Sequence, residues 1–356
     1  MKICALIHGA DSFYSGAISK LIEKLKEFGE VELFVTGTMA RTASLDTNLP
    51  VKVWHGQPSE LLKQAEKEFD VILIVSYSKS PESGYSFGEI VFRRSGVNKP
   101  VLQFELSNNT AILWNRNSHP IADKIGFRSV HPESRILTWK EGNREYRKVS
   151  AVEVGELLLI NGIVVGRIKD RDVIVVAENG EIVDLIGVEV KKHGLEKLKR
   201  RNPRIELEKI KICSLRRFKA VEGSIRQSKG FGVAFVDHAG AEIYRFAGKC
   251  GSAVCIGDDT TAVASEILSR FDTPVLGIVD GDRDFVLYPA TIHPDSEVLI
   301  TKHDDLAGAI IFEEVFKGRE MLFEEFNWVK RKIEEVLESK SLLISKKPLK
   351  ELKDSL

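Results

Sequence analysis

The 356-residue chain is 43% hydrophobic, enough apolar material for one large core or for two to three ordinary ones at roughly 100 to 200 residues per domain. Lysine plus arginine number 52, and so do aspartate plus glutamate, so no net charge draws the protein to nucleic acid or to an anionic membrane. Four cysteines, Cys4, Cys213, Cys250 and Cys255, are too few for a secreted disulfide framework and suit a reducing compartment.

The apolar stretch at the N-terminus, about six residues, falls short of the roughly 7 to 15 of a signal-peptide core, and no later run approaches the roughly 18 of a membrane span. A soluble cytoplasmic protein with no membrane partner is expected. Short apolar runs then alternate with amphipathic stretches: strands over 3–7, 31–35, 71–75 and 101–104, helices over 17–28, 58–69 and 87–94. The strands are apolar throughout rather than alternating, as in a parallel sheet covered on both faces. This predicts a doubly wound α/β domain over 1–134.

From 135 to 195 the rhythm changes to β-rich runs at 157–160, 163–168, 173–176 and 182–188. Asn161-Gly162 and Asn179-Gly180 are hairpin signals, because both residues tolerate positive φ. A small antiparallel β module follows from this. The tract 191–219 is dense in lysine and arginine, and reads as a linker with a basic face or as a phosphate-facing patch. It carries little aromatic content for stacking on single strands, and the neutral net charge ranks nucleic acid last among the partners considered. The α/β rhythm returns over 196–340 with strands at 232–236, 253–256, 275–279 and 298–301, helices over 261–270 and 306–316, and a long amphipathic helix over 319–340. A lysine-rich tail, 341–356, is expected to fray.

The strongest chemical signal is the strand 275–279 followed by Asp280, Asp282 and Asp284 at alternate positions. In open α/β sheets ligands bind at the carboxyl ends of strands, and carboxylates crowded there repel one another unless a cation neutralises them. Hard oxygen ligands of this kind suit Mg²⁺. The alternative is an acidic turn in which Gly281 supplies the bend. Upstream, Gly257-Asp258-Asp259-Thr260-Thr261 repeats the strand, glycine, polar loop, helix order; Asp258 could join the metal shell while Gly257, Thr260 and Thr261 hold an anion at the helix start. Asp259 or Thr260 acting as a simple N-cap is the competing reading.

Gly9, Asp11 and Ser12 follow the first strand, Thr38 and Arg41 the second, and a Gly- and Ser-rich loop the strand at 71–75. Hydroxyl-rich loops after neighbouring strands fit a pocket for a phosphorylated ligand, and ordinary βα loops share the same composition. Cys250 and Cys255 lack a second ligand pair for zinc and read as core residues. Asp304 and Asp305, after His303, read as helix caps rather than ligands.

Two resemblances rest on these residues. Ile7-His-Gly, Gly37-Thr-Met-Ala-Arg-Thr-Ala, Lys192-His-Gly-Leu-Glu-Lys-Leu, Gly257-Asp-Asp-Thr-Thr and Gly277-Ile-Val-Asp-Gly-Asp together resemble, over nearly the full chain, a family of conserved archaeal proteins built on a domain of unknown function. That resemblance implies no activity. Val221-Glu222-Gly223 and Asp280-Gly-Asp282, within 215–310, are similar to the Toprim fold of topoisomerases and primases. It implies Glu222 as general acid/base or metal ligand, with Asp280 and Asp282 holding Mg²⁺ for phosphodiester chemistry. Asp258 and Asp259 have no counterpart there.

The resulting expectation is an α/β protein with an N-terminal doubly wound parallel sheet, a small β module and a Rossmann- or Toprim-like C-terminal domain. Its function is expected to be that of a Mg²⁺-dependent enzyme acting on a phosphorylated small molecule or nucleotide. Asp258, Asp280 and Asp282 would hold the metal, and Glu222 and Asp284 would serve as catalytic groups. The rivals are a non-catalytic metabolite sensor and a Toprim-type nucleic-acid enzyme. A homodimer is compatible with all three.

Overall fold

The structure, a computed structural model, describes residues 1–47, 49–132, 137–215, 218–219, 223, 225, 230–237, 241–280 and 287–354. It is an α/β protein of two compact units, Met1–Arg216 and Arg217–Leu356.

The first unit begins with β1 (Lys2–His8), α1 (Asp11–Tyr14), α2 (Ala17–Lys26), β2 (Glu30–Thr36), α3 (Thr38–Leu45), β3 (Val51–Val53), α4 (Pro58–Glu68), β4 (Val71–Ser76), α5 (Pro81–Ser95), β5 (Val101–Glu105), β6 (Thr110–Leu113), α6 (Pro120–Ile125) and β7 (Arg128–Val130). These strands form one sheet in the order β3-β2-β1-β4-β5-β6-β7, parallel from β3 through β5. The order reverses between β1 and β4, which is the switch point of a doubly wound fold. Ile3 to Ile7 and Val71 to Val75 are buried along their whole length, since helices cover both faces. Helix α2 buries Ile18, Leu21, Ile22 and Leu25 at helical spacing. Helix α5 starts at Pro81, well ahead of the expected start at residue 87: Ser80 Oγ accepts from Ser83 N–H, and proline takes the first helical position. Gly84 and Gly88 hide that helix from a periodicity reading, and they let it close on Glu105 and Gln103.

The β module comprises β8 (Leu137–Glu141), β9 (Arg144–Val149), β10 (Leu157–Ile160), β11 (Ile163–Ile168), β12 (Val173–Glu178), β13 (Glu181–Ile186) and β14 (Val188–Val190), then α7 (Lys192–Arg201) and β15 (Ile212–Leu215). Two four-stranded sheets, β14-β11-β10-β15 and β13-β12-β9-β8, bury a common core that includes Leu158, Val165, Val175 and Leu185. Asn161 and Asn179 take positive φ in the hairpins β10–β11 and β12–β13, as their Asn-Gly pairs predict. The module does not stop at 195. The expected linker folds as α7, which buries Leu198 and lays Gly194 on Val164, and then as β15, which pairs with β10. The basic side chains of α7 lie on its solvent face.

The second unit holds β16 (Phe218–Lys219), β17 (Val233–Val236), β18 (Ser252–Ile256), α8 (Asp258–Leu268), β19 (Val275–Val279), β20 (Leu287–Tyr288), β21 (Glu297–Thr301), α9 (Asp304–Glu314), β22 (Met321–Leu322), α10 (Phe326–Ser339), β23 (Leu343–Pro348) and α11 (Leu349–Asp354). Its six-stranded sheet runs β22-β17-β18-β19-β21-β23, with four parallel strands between two antiparallel edges. Met321 and Leu322, expected at the start of the long helix, instead pair with β17. The tail expected to fray instead carries secondary structure over 343–354: β23 closes the other edge against β21, and Lys346 reaches Glu334 at 2.6 Å. Among the described residues no helix is long and apolar enough to cross a membrane.

Candidate functional site

Each parallel strand of the second sheet is followed, within three residues of its carboxyl end, by an aspartate: Asp237 after β17, Asp258 after β18, Asp280 after β19 and Asp304 after β21. Carboxylate oxygens of Asp258, Asp280 and Asp304 lie within 4.8 Å of one another. Asp258 is buried, Asp304 is half-buried and Asp280 is exposed, so the group opens to solvent on one side.

Local sequence dictates this convergence. Gly257 sits at φ 93°, a conformation side chains rarely adopt, and turns the chain sharply from β18 into α8. A Cβ built on Gly257 would lie in ordinary contact, 3.6 Å from Asp304 Oδ2, so the turn sits directly beside that carboxylate. Gly277 on β19 lets α8 bed against the sheet through Thr261, and Gly308 lets α9 bed on Ile256. The two helices are thereby held close to the strands, and their first residues, Asp258 and Asp304, meet over the end of β19.

Three like charges this close repel one another, and a cation among them relieves that repulsion. Their oxygens are hard donors of the kind that bind Mg²⁺ or Mn²⁺ with waters completing the shell. The donor set therefore fits a hard divalent cation. Asp280 and Asp258 are among the residues the sequence singles out. Asp282, Asp284 and Glu222 lie outside the described residues. Asp304 is the residue that sequence reasoning assigned to capping. The N-cap of α9 is His303, which makes no side-chain cap bond, and Asp304 Oδ1 accepts from the Asp305 N–H at 2.7 Å. The signal that reveals Asp304 is the regular recurrence of aspartate after each strand, not any local motif.

Of the expected anion-binding residues, Gly257 is the N-cap of α8, and Thr260 Oγ1 reaches the Asp237 carbonyl at 3.5 Å. Thr261 is fully buried against Gly277 and so faces the core, not the ligand edge. Beside the aspartates, a cavity of about 510 Å³ opens between β17 and α9.

The N-terminal loops occupy the carboxyl edge of the other sheet. Gly9 adopts φ 82° after β1, Asp11 is exposed in the first turn of α1, and Thr38 and Arg41 lie half-buried in α3. Ser12 is fully buried, and its hydroxyl donates to the His8 carbonyl at 2.6 Å, which makes it a structural brace. A feature the sequence reading missed is an in-register polar row, Thr36, His8, Ser76, Glu105 and Thr110, across five adjacent strands. Glu105 is buried and accepts from Ser76 Oγ, the Ser78 N–H and Ser107 Oγ. Burial, reinforced by the Lys211 charge, lowers the His8 pKa to about 3, so its imidazole is neutral, stacked 3.8 Å from Phe87. The row was hidden because each member is one polar residue at the end of an apolar run.

Cys250 and Cys255 are buried, and burial raises the Cys250 thiol to about 11.

The model of a family described as uncharacterized proteins conserved in archaea (DUF2117) matches residues 5–319. A similar protein, the uncharacterized MJ0065 of Methanocaldococcus jannaschii, is 36% identical over 349 residues, covering 91% of this chain and 94% of the relative. No solved structure matches. The matched span runs from β1 past the end of α9 and contains all three clustered aspartates, so the chain belongs to this family of proteins conserved in archaea.

Proposed function

We propose that the protein is a Mg²⁺-dependent enzyme acting on a phosphorylated or nucleotide-like substrate at the carboxyl edge of the second sheet. The observation that carries this reading is the meeting of Asp258, Asp280 and Asp304 within 4.8 Å from three separate strand ends. These three side chains would hold the cation, which when bound supplies charge neutralisation for a transferring phosphoryl group. The first turn of α8 contributes backbone N–H groups at the same edge. Asp258 and Asp259 already complement that helix dipole with negative charge, so the substrate's phosphate reaches the site through the cation rather than through the helix terminus alone. Glu222 and Asp284 are the residues the sequence offers for acid–base work, and Asp282 is the further metal ligand it offers.

The test is a screen for Mg²⁺-dependent release of inorganic phosphate from phosphorylated metabolites and nucleotides, run on the wild type and on Asp304→Asn. Turnover that needs the ion and falls at least a hundredfold in the variant supports the reading. Turnover insensitive to both chelator and Asp304→Asn would overturn it, and ligand-induced thermal stabilisation without turnover would assign a metabolite sensor instead.

A further inference from the structure

We propose that the carboxyl edge of the first sheet, at the switch point between β1 and β4, is a second binding site, one that takes the hydroxyl groups of an uncharged sugar. It lies in the first unit and does not rest on the metal reading. In doubly wound sheets ligands bind in the crevice outside the strand ends at that point. The polar row Thr36, His8, Ser76, Glu105 and Thr110 stands there on one face of the sheet, because in-register neighbours point the same way.

The middle of the row is internally complete. Ser76 Oγ donates to Glu105 at 2.9 Å and accepts from Gln103 Nε2 at 3.2 Å, and Glu105 also accepts from the Ser78 N–H and Ser107 Oγ. The flanks are not. Thr36 is 3% exposed, yet its Oγ1 and the buried Nδ1 of its neighbour His8 have no hydrogen-bond partner among the described residues. Thr110 Oγ1, on the other flank at 5% exposure, is in the same condition. Buried polar atoms are nearly always paired, so two adjacent orphans beside the switch point call for a partner that the chain does not supply.

Their chemistry selects that partner. A threonine hydroxyl both donates and accepts, and a neutral imidazole nitrogen does one or the other according to tautomer. The one formal charge in the row is the Glu105 carboxylate, and Lys211, whose charge acts on His8, is itself exposed. A phosphate drawn onto Thr36 and His8 would shed its water for two uncharged partners. A hydroxyl matches both, and adjacent hydroxyls of one sugar ring suit side chains on strands roughly 4.8 Å apart. The β module adds an acceptor at the loop beyond β4. Lys79 reaches Glu156 Oε2 at 2.5 Å and Ser214 Oγ at 2.7 Å, while Glu156 Oε1 stays buried and without a hydrogen-bond partner among the described residues. An unsatisfied carboxylate oxygen favours a hydroxyl donor and repels a phosphate.

The experiment is saturation-transfer NMR followed by calorimetric titration of the full chain with methyl β-D-ribofuranoside, methyl α-D-glucopyranoside and inorganic phosphate. At least one glycoside is expected to bind saturably at millimolar concentration, and phosphate is expected not to displace it. Thr36→Val keeps the shape and removes the orphan hydroxyl, so it should weaken the glycoside at least tenfold without lowering the thermal midpoint. Binding of neither glycoside, displacement by phosphate, or wild-type affinity in Thr36→Val would each overturn the proposal; the last would leave the orphan atoms to internal water. The metal reading fails separately, since Asp304→Asn should leave glycoside binding unchanged whatever a parallel Mn²⁺ titration shows.

Discussion

Asp258 at the head of α8 and Asp304 at the head of α9 bring carboxylate oxygens within 4.8 Å of each other and of Asp280, which follows the strand lying between theirs in the sheet. Clustered like charges oppose folding when no cation screens them. Asp280→Asn, which removes one charge from the exposed side of the group, should raise the thermal midpoint of chelator-treated protein. Mg²⁺ should then stabilise the wild type more than the variant. Differential scanning calorimetry with and without chelator measures both effects.

A buried ion pair anchors the far end of α8. Arg270 and Glu266 are both about 1% exposed and 2.6 Å apart, and Glu266 Oε2 also accepts from the Ala290 and Thr291 N–H groups. Removing one partner strands a buried charge. Arg270→Met is expected to destabilise by about 3 to 5 kcal/mol in urea unfolding. The Glu266→Gln, Arg270→Met double variant should be less destabilised than Arg270→Met alone, because it leaves no ionised group behind.

His8 makes stability depend on acidity. Its folded pKa of about 3 lies below the ordinary 6.5, so the unfolded chain binds the extra proton between those values. The contribution is whole above about pH 6.5 and is lost as pH falls toward 3, by at most about 1.4 kcal/mol per pH unit. Urea midpoints measured from pH 7 down to pH 5 should decline, and His8→Gln should flatten that decline.

Packing of α5 supplies a further expectation. A Cβ on Gly88 would collide with the Gln103 side chain, and one on Gly84 with Glu105. Gly88→Ala should destabilise by about 1 to 3 kcal/mol despite alanine's better helix propensity, since overpacking outweighs it. A control that adds no atom, Ser86→Ala at a half-buried position of the same helix, should change the urea midpoint little.

Much of this architecture is legible in the sequence because it is written in period and punctuation. The continuous apolar runs of β1, β4, β18 and β19 announce parallel strands buried on both faces. Two Asn-Gly pairs locate hairpins of the β module. What escapes notice lacks such a period. Strands β8 and β9 are polar and half-exposed, and α7 hides in a run of basic residues because only Gly194, Leu195 and Leu198 turn toward the core. Strand β23 is mostly exposed and is held by pairing with β21, a tertiary fact that no local propensity reports.

The candidate site shows the same division. Asp258 and Asp280 stand directly after obvious strands, where chemistry is expected. Asp304 stands in a helix-start context that reads as capping, and only the sheet order, which places β21 beside β19, brings it to the other two. Thr261 errs in the opposite direction: its position in the sequence suits an anion site, yet the helix phase turns it onto Gly277.

The most direct test of the central claim is calorimetric titration of chelator-stripped protein with Mn²⁺ and Mg²⁺, repeated on Asp258→Asn, Asp280→Asn and Asp304→Asn. Saturable binding of one ion per chain, weakened at least tenfold by each substitution, is the predicted result. Binding that survives all three substitutions, or an absence of binding in the folded wild type, would contradict the assignment of these aspartates as a metal site.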